Sequence, residues 1–190
     1  MKKISLLAGA LLACFMQVNA QDFVSTDPTN RNVIIEEFTG RNCGYCPDGH
    51  KIANQICHDN PGRVWAVNVH AGGYAPTSYP NFNTPESNTI LNGFNVSGFP
   101  SGAVNRSDYT ALNRGQWASA AAQQMGQVAE CNVAGQAVIN PATRMAKITV
   151  EVYYTGNSTV DANYLTVMML QDSIMGSQSG SQSNPDQMIN

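Results

Sequence analysis

Charge is scarce in this chain. Asp, Glu, Lys and Arg make up 12% of its 190 residues, and 10 basic residues stand against 13 acidic ones without forming a cluster. That excludes a nucleic-acid partner, whose phosphates need a concentrated positive patch. Membrane-length apolar runs are lacking as well. Residues 4–16 are too few for a spanning helix, which needs about 20, and residues 164–170 are strand-sized. There is one C-x-x-C and no second, and Cys57-His58 and Cys131 lie at no standard zinc spacing. Neither a metal nor an organic cofactor is expected.

The N-terminus has the parts of an export signal. Lys2 and Lys3 are basic, residues 4–16 are apolar, and Val18-Asn19-Ala20 puts small residues where a signal peptidase reads. Cleavage is expected before Gln21. A second reading takes Leu11-Leu12-Ala13-Cys14 as a lipobox with Cys14 lipidated. Leu12 fits that motif poorly, so soluble export is preferred to lipid anchoring. Removing residues 1–20 takes Lys2, Lys3 and Cys14 from a chain of net charge −3, leaving −5 and four cysteines. An even number of cysteines in an oxidising compartment favours pairing. The expected location is the cell envelope, in the periplasm or at the outer membrane.

Along the mature chain the hydrophobic period changes twice. Val33-Ile34-Ile35-Glu36-Glu37-Phe38 reads as a buried strand. From Cys43 to Cys57 the period is helical, with Cys46, Ala53, Ile56 and Cys57 on one face, Pro47 tolerated in the first turn, and Asn60-Pro61-Gly62 as the stop. Residues 63–69 form a second strand, so a right-handed crossover in a parallel sheet is expected. A loop over 70–83 leads to Thr84-Pro85-Glu86, which opens a short helix. A strand near 102–105 and a helix over 114–130 complete an α/β unit spanning 21–131. Residues 133–139, 146–154 and 164–171 then read as strands, the start of a β-domain over 132–175 where a sandwich has about seven strands. Residues 176–190, rich in Ser, Gln and Gly, are expected to be disordered.

Cys43 and Cys46 carry the chemistry. At a strand-to-helix junction the helix dipole and free N–H groups stabilise a thiolate on the first cysteine. The second, three residues on, can close a small disulfide ring and resolve a mixed disulfide. A static structural disulfide is the main alternative, and half of a metal site the lesser one.

These residues together resemble the thioredoxin superfamily. Glu37-Phe38 stands six positions before Cys43, where thioredoxins have an acidic residue followed by Phe. Cys43-Gly44-Tyr45-Cys46 is similar to the motif of periplasmic disulfide isomerases, and Gly98-Phe99-Pro100 resembles the cis-proline loop facing the active site. A nearer resemblance is to the Omp28-related outer membrane protein family of Bacteroidetes-type bacteria. It rests on Glu36-Glu37-Phe38-Thr39-Gly40, Cys43-Gly44-Tyr45-Cys46-Pro47, Asn68-Val69-His70-Ala71-Gly72-Gly73-Tyr74 and Gly98-Phe99-Pro100-Ser101-Gly102-Ala103-Val104-Asn105-Arg106. The resemblance implies an N-terminal thioredoxin-like domain, an all-β, sandwich-like domain left incomplete here, and an envelope location. It implies no substrate. The catalytic candidates are Cys43, Cys46, Glu37 and Pro100. Departures from the thioredoxin pattern are Asn42 before the first cysteine, Arg41 as an added positive charge, Glu37 for a shorter Asp, and Pro47 after the motif.

Other residues have plainer readings. His50 is expected to face solvent rather than tune Cys46, His58 to meet the helix C-terminal dipole, and His70 to anchor a loop. Tyr74, Tyr79 and Phe82 either form a recognition surface or pack their own loop. Cys57 and Cys131 are expected to pair, closing a loop of 75 residues, for which chain entropy gives about 4 kcal/mol. The alternative is two thiols packed as small hydrophobes. The function expected is a thiol–disulfide oxidoreductase or disulfide-handling protein acting on protein thiols or disulfides. The alternative is a non-catalytic outer-membrane-associated protein that binds envelope proteins and uses Cys43–Cys46 as a staple.

Overall fold

The computed structural model describes residues 23–180 and the backbone of 186–189. The export signal and Cys14 lie outside the described residues. The described residues form a mixed α/β structure with a four-stranded mixed sheet and two separate two-stranded antiparallel sheets. In the sheet, β1 (Val33–Thr39) pairs in parallel with β2 (Val64–His70), with α1 (Cys46–Asp59) between them in sequence. β3 (Ser101–Val104) runs antiparallel to β1, and β4 (Leu112–Asn113) antiparallel to β3, so the order is β2-β1-β3-β4.

Both faces of this sheet are covered, which is why β1 reads as a continuous apolar run rather than an alternating one. Val33 and Ile35 point to α1 and α3 (Trp117–Met125), where they pack with Ala53, Ile56, Trp117 and Ala121. Phe38 points the other way, onto Val67, Val69 and α2 (Pro85–Asn92). Val33, Ile35, Phe38 and Trp117 are all 0% exposed. Each such side chain contributes roughly 1.5–3 kcal/mol by leaving water. The period of 2 along β1 then decides the chemistry: Glu37 and Thr39 share the α1 face with Val33 and Ile35, while Glu36 shares the α2 face with Phe38.

The helices start and stop for local reasons. α1 begins at Cys46, with Pro47 in its first turn, so Cys43 lies in the turn before the helix rather than at its first residue. Thr84 caps α2 by accepting from the Ser87 N–H, as its sequence implies. α3 is shorter than the expected 114–130. A 3₁₀ turn over Arg114–Gln116 precedes it, capped by Asn113, and Gly126 ends it. Val128 therefore leaves the helix face and sits 64% exposed.

Beyond the α/β unit, β5 (Cys131–Asn140) and β6 (Met145–Tyr154) form a long antiparallel hairpin. Residues 164–171, expected as a third strand, pair with nothing regular. Strand propensity there has no partner ladder to act on. Within 176–190, expected to be disordered, the described residues 176–180 and 186–189 include strand. β7 (Ile174–Ser177) pairs antiparallel with β8 (Asp186–Ile189), and residues 178–180 pack against the loop that carries Cys43. The expected Cys57–Cys131 bridge is absent, and both are free thiols. α1 and α3 do share a face of the sheet, but α3 ends at Met125. The chain then runs through a bridge between Val128 and Asn30 before Cys131 opens β5 opposite Tyr154. Cys57 meanwhile packs against the core under α1, where burial raises its thiol pKa.

Candidate active site

Cys43 and Cys46 form a disulfide, with Cα atoms 5.4 Å apart. Three local bonds shape the ring. The Cys43 N–H donates to the Gly40 carbonyl, the Cys46 N–H to the Cys43 carbonyl, and the Asp48 N–H to the Tyr45 carbonyl. Between the cysteines Tyr45 is 72% exposed, whereas Cys43 is 2% and Cys46 0% exposed.

Against the first turn of α1, which Cys46 opens, lies a polar cluster. The Glu37 side chain is 0% exposed and neither carboxyl oxygen has a hydrogen-bond partner. Gly49, one turn past Cys46, makes room for it: a Cβ there would stand 2.4 Å from Glu37 Oε1 and 2.9 Å from Cβ of Pro100. So Glu37, the first turn of α1 and Pro100, which follows a cis bond, meet at one point. His50 is largely covered in the same cluster, its side chain 12% exposed, contrary to the solvent-facing position its sequence context suggests. Its Nε2 is 2.9 Å from Thr39 Oγ1 and 3.6 Å from Glu37 Oε1. The reason is geometric: His50 follows Cys46 by four residues and so shares its face, and the end of β1 supplies the Thr39 hydroxyl. His70, at the end of β2 opposite Thr39, is also buried and has no hydrogen-bond partner on either ring nitrogen. Its ring lies 5.5 Å from that of Phe82, so the loop over 70–83 is packed in part by its own aromatic residue.

Burial sets the protonation. Desolvation disfavours a carboxylate, and Glu37 is held well above its ordinary pKa. The same desolvation lowers His50 to about 4. His70 is also brought to about 4, by desolvation first and by proximity to His50 second. At 3.6 Å Glu37 and His50 are too far apart for a hydrogen bond, and burial favours the neutral form of each. The adjacent Glu36 is hydrogen-bonded instead. On the other sheet face it accepts from Nε and Nη2 of Arg106, and that pairing raises the arginine's pKa.

Arg41 does not point its hydrogen bonds at Cys43. Its guanidinium donates to Ser78 Oγ at 2.8 Å and to Ser177 Oγ at 3.2 Å. The ring of Tyr74 packs on Phe99, and Tyr79 is 96% exposed. Among the described residues no group of three or more His, Cys, Asp or Glu could hold a metal ion. None of the helices there is long and apolar enough to cross a membrane. Gly49, Thr39 and the burial of His50 went unread in the sequence. The available signal was a Gly-His pair three and four residues after Cys46, on its own helix face.

No protein-family model matches the chain, and no curated protein matches it. Among solved structures, HBP35 of Porphyromonas gingivalis is similar over 57% of this chain, at 21% identity and a TM-score of 0.45. The match takes in 38% of that chain, so this one spans well under half the length of its structural neighbour.

Proposed function

We propose that this chain is a cell-envelope thiol–disulfide oxidoreductase, with a thioredoxin-like domain over 21–131 and the start of a β-domain over 132–175. The observation that carries the proposal is that a buried Glu37 without a hydrogen-bond partner meets Pro100 at Gly49, one helical turn past Cys46 of the Cys43–Cys46 disulfide. A static staple has no need of a desolvated carboxyl against its helix, since leaving such a group without partners costs stability. A sheet ordered β2-β1-β3-β4, with helices on both faces, supports the thioredoxin-like part. The Omp28-related resemblance and the export signal support the location.

In the reducing direction the Cys43 thiolate attacks a substrate disulfide, forming a mixed disulfide and releasing one substrate thiolate. Glu37, whose raised pKa makes its carboxylate a stronger base, first gives up its own proton to solvent and then, as carboxylate, takes the proton from the Cys46 thiol. The Cys46 thiolate then attacks Cys43 Sγ, re-forming Cys43–Cys46 and releasing the second substrate thiolate. The oxidising direction is the same sequence in reverse, and the two electrons move between the protein's cysteine pair and the substrate's. The partners are protein thiols or disulfides.

The staple reading is favoured by one observation, the burial of both sulfur-bearing residues. Alkylation of the reduced mature protein at mildly acidic pH separates the two. The oxidoreductase labels Cys43 first and Cys46 much more slowly. Equal slow labelling of both, as for ordinary buried thiols, favours the staple.

A further inference from the structure

The chain's own residues 177–180 lie on the disulfide loop. Gln178 is 4% exposed, and its Nε2 donates to the main-chain carbonyls of Gly40 at 3.2 Å and Cys43 at 3.0 Å. The Ser179 N–H donates to the Arg41 carbonyl at 2.8 Å. Ser177 Oγ receives the Arg41 guanidinium. Gly180 has φ +82, and a Cβ there would stand 1.9 Å from the Gly44 carbonyl oxygen. Four successive residues are thus fitted to the carbonyl-lined rim on both sides of Cys43. Their contacts arise 135 or more residues away in sequence, not from local chain continuity.

We propose that residues 177–180 are a built-in cover that occupies the polypeptide-docking rim of the Cys43–Cys46 disulfide and must leave before a substrate can reach Cys43. The proposal rests on the oxidoreductase reading. The rim offers main-chain acceptors at Gly40, Arg41 and Cys43, and the cover satisfies them with an amide N–H₂ and a backbone N–H. An extended polypeptide presenting its own N–H groups can take the same acceptors, so the ligand class is an extended peptide segment flanking a cysteine or disulfide. Two features make the cover releasable. Gln178 Oε1 and Arg41 Nε are buried without partners, so closing it leaves polar groups unsatisfied. Its remaining contacts are hydrogen bonds rather than an apolar plug, and segments held in this way open locally at low cost.

The test uses the oxidised mature chain and measures the rate at which dithiothreitol, and separately a reduced unfolded protein, reduces Cys43–Cys46. Gln178→Ala removes the two bonds to Gly40 and Cys43. Gly180→Ala places a methyl against the Gly44 carbonyl in a left-handed conformation. Each is expected to raise the open population and both rates by about tenfold, the effect of losing a pair of buried hydrogen bonds. Ser179→Ala keeps the main-chain bond to Arg41 and is expected to leave the rates within about twofold, well under one hydrogen bond's worth. Far-UV circular dichroism checks that all three variants keep the fold. Rates unchanged in both Gln178→Ala and Gly180→Ala, or an equal rise in Ser179→Ala, would overturn the cover. If dithiothreitol reduces the two variants faster but no form exchanges with the unfolded protein, the cover stands and the oxidoreductase reading fails.

Discussion

Replacing Gly49 with alanine tests whether Glu37 and Pro100 are wedged against the first turn of α1. In an ordinary helix interior Gly→Ala stabilises by about 1 kcal/mol, because glycine loses more backbone entropy. Here the added methyl would stand 2.4 Å from Glu37 Oε1, 2.9 Å from Pro100 Cβ and 3.0 Å from Pro100 Cγ. A glutamate tip on a surface would swing aside. This one is 0% exposed, and the proline ring on its flank is rigid. Overpacking of this kind costs roughly 1–3 kcal/mol, and a shift of both neighbours puts the site toward the upper end. The net expectation is destabilisation by about 1–2 kcal/mol, the opposite sign to helix propensity alone. Urea unfolding of the oxidised protein at pH 7 measures it, with Gly44→Ala as the control, since a Cβ at Gly44 meets nothing within 4 Å. A Gly49→Ala variant as stable as the parent, or more so, would refute the close approach of α1, Glu37 and Pro100.

The buried titratable groups give stability a maximum in pH. His50 and His70 have folded pKa values of about 4 against an ordinary 6.5, so the unfolded chain takes up their protons first. Their contribution is complete above 6.5 and is lost as pH falls toward 4. Glu37, raised above its ordinary 4.5, has the opposite sign: the unfolded chain loses that proton first, so stability declines as pH rises above 4.5. Two imidazoles outweigh one carboxyl below 6.5, so stability should rise with pH to about there and decline beyond. Each unmatched proton gives a slope of up to about 1.4 kcal/mol per pH unit. Urea midpoints from pH 4 to 9 check this, and a flat profile would contradict it. Glu37→Gln stays neutral throughout, so it should abolish the alkaline decline and slow thiol exchange with little loss of stability at pH 7. Unchanged exchange kinetics across pH 6 to 9 would make Glu37 merely structural.

Much of the α/β unit was legible because its signals are local. β1 and β2 bury residues on both faces, and continuous apolar runs announce that. Thr84-Pro85-Glu86 opens α2 through its own side chains. Cys46, Ala53 and Ile56 mark the buried face of α1 directly. What stayed hidden depends on partners distant in sequence. His50 looks like a surface residue until Thr39 and Glu37 are brought under it from β1. Cys57 and Cys131 look like a pair until α3 stops at Gly126 and the chain turns away into β5. Residues 177–180 have a disordered composition, yet main-chain carbonyls near Cys43 fix them, and such acceptors leave no trace in sequence. Residues 164–171 show the reverse case, where strong β propensity finds no strand to pair with.

The claim at the centre of this account is that Cys43–Cys46 is a working redox couple. The direct measurement is its reduction potential, taken by equilibrating the mature protein with glutathione buffers and counting alkylated Cys43 and Cys46. A working couple predicts full, reversible exchange and a potential between roughly −270 and −120 mV, the range of dithiol oxidoreductases. A potential below about −300 mV, with no exchange on prolonged incubation, would make the pair a structural disulfide and contradict the account.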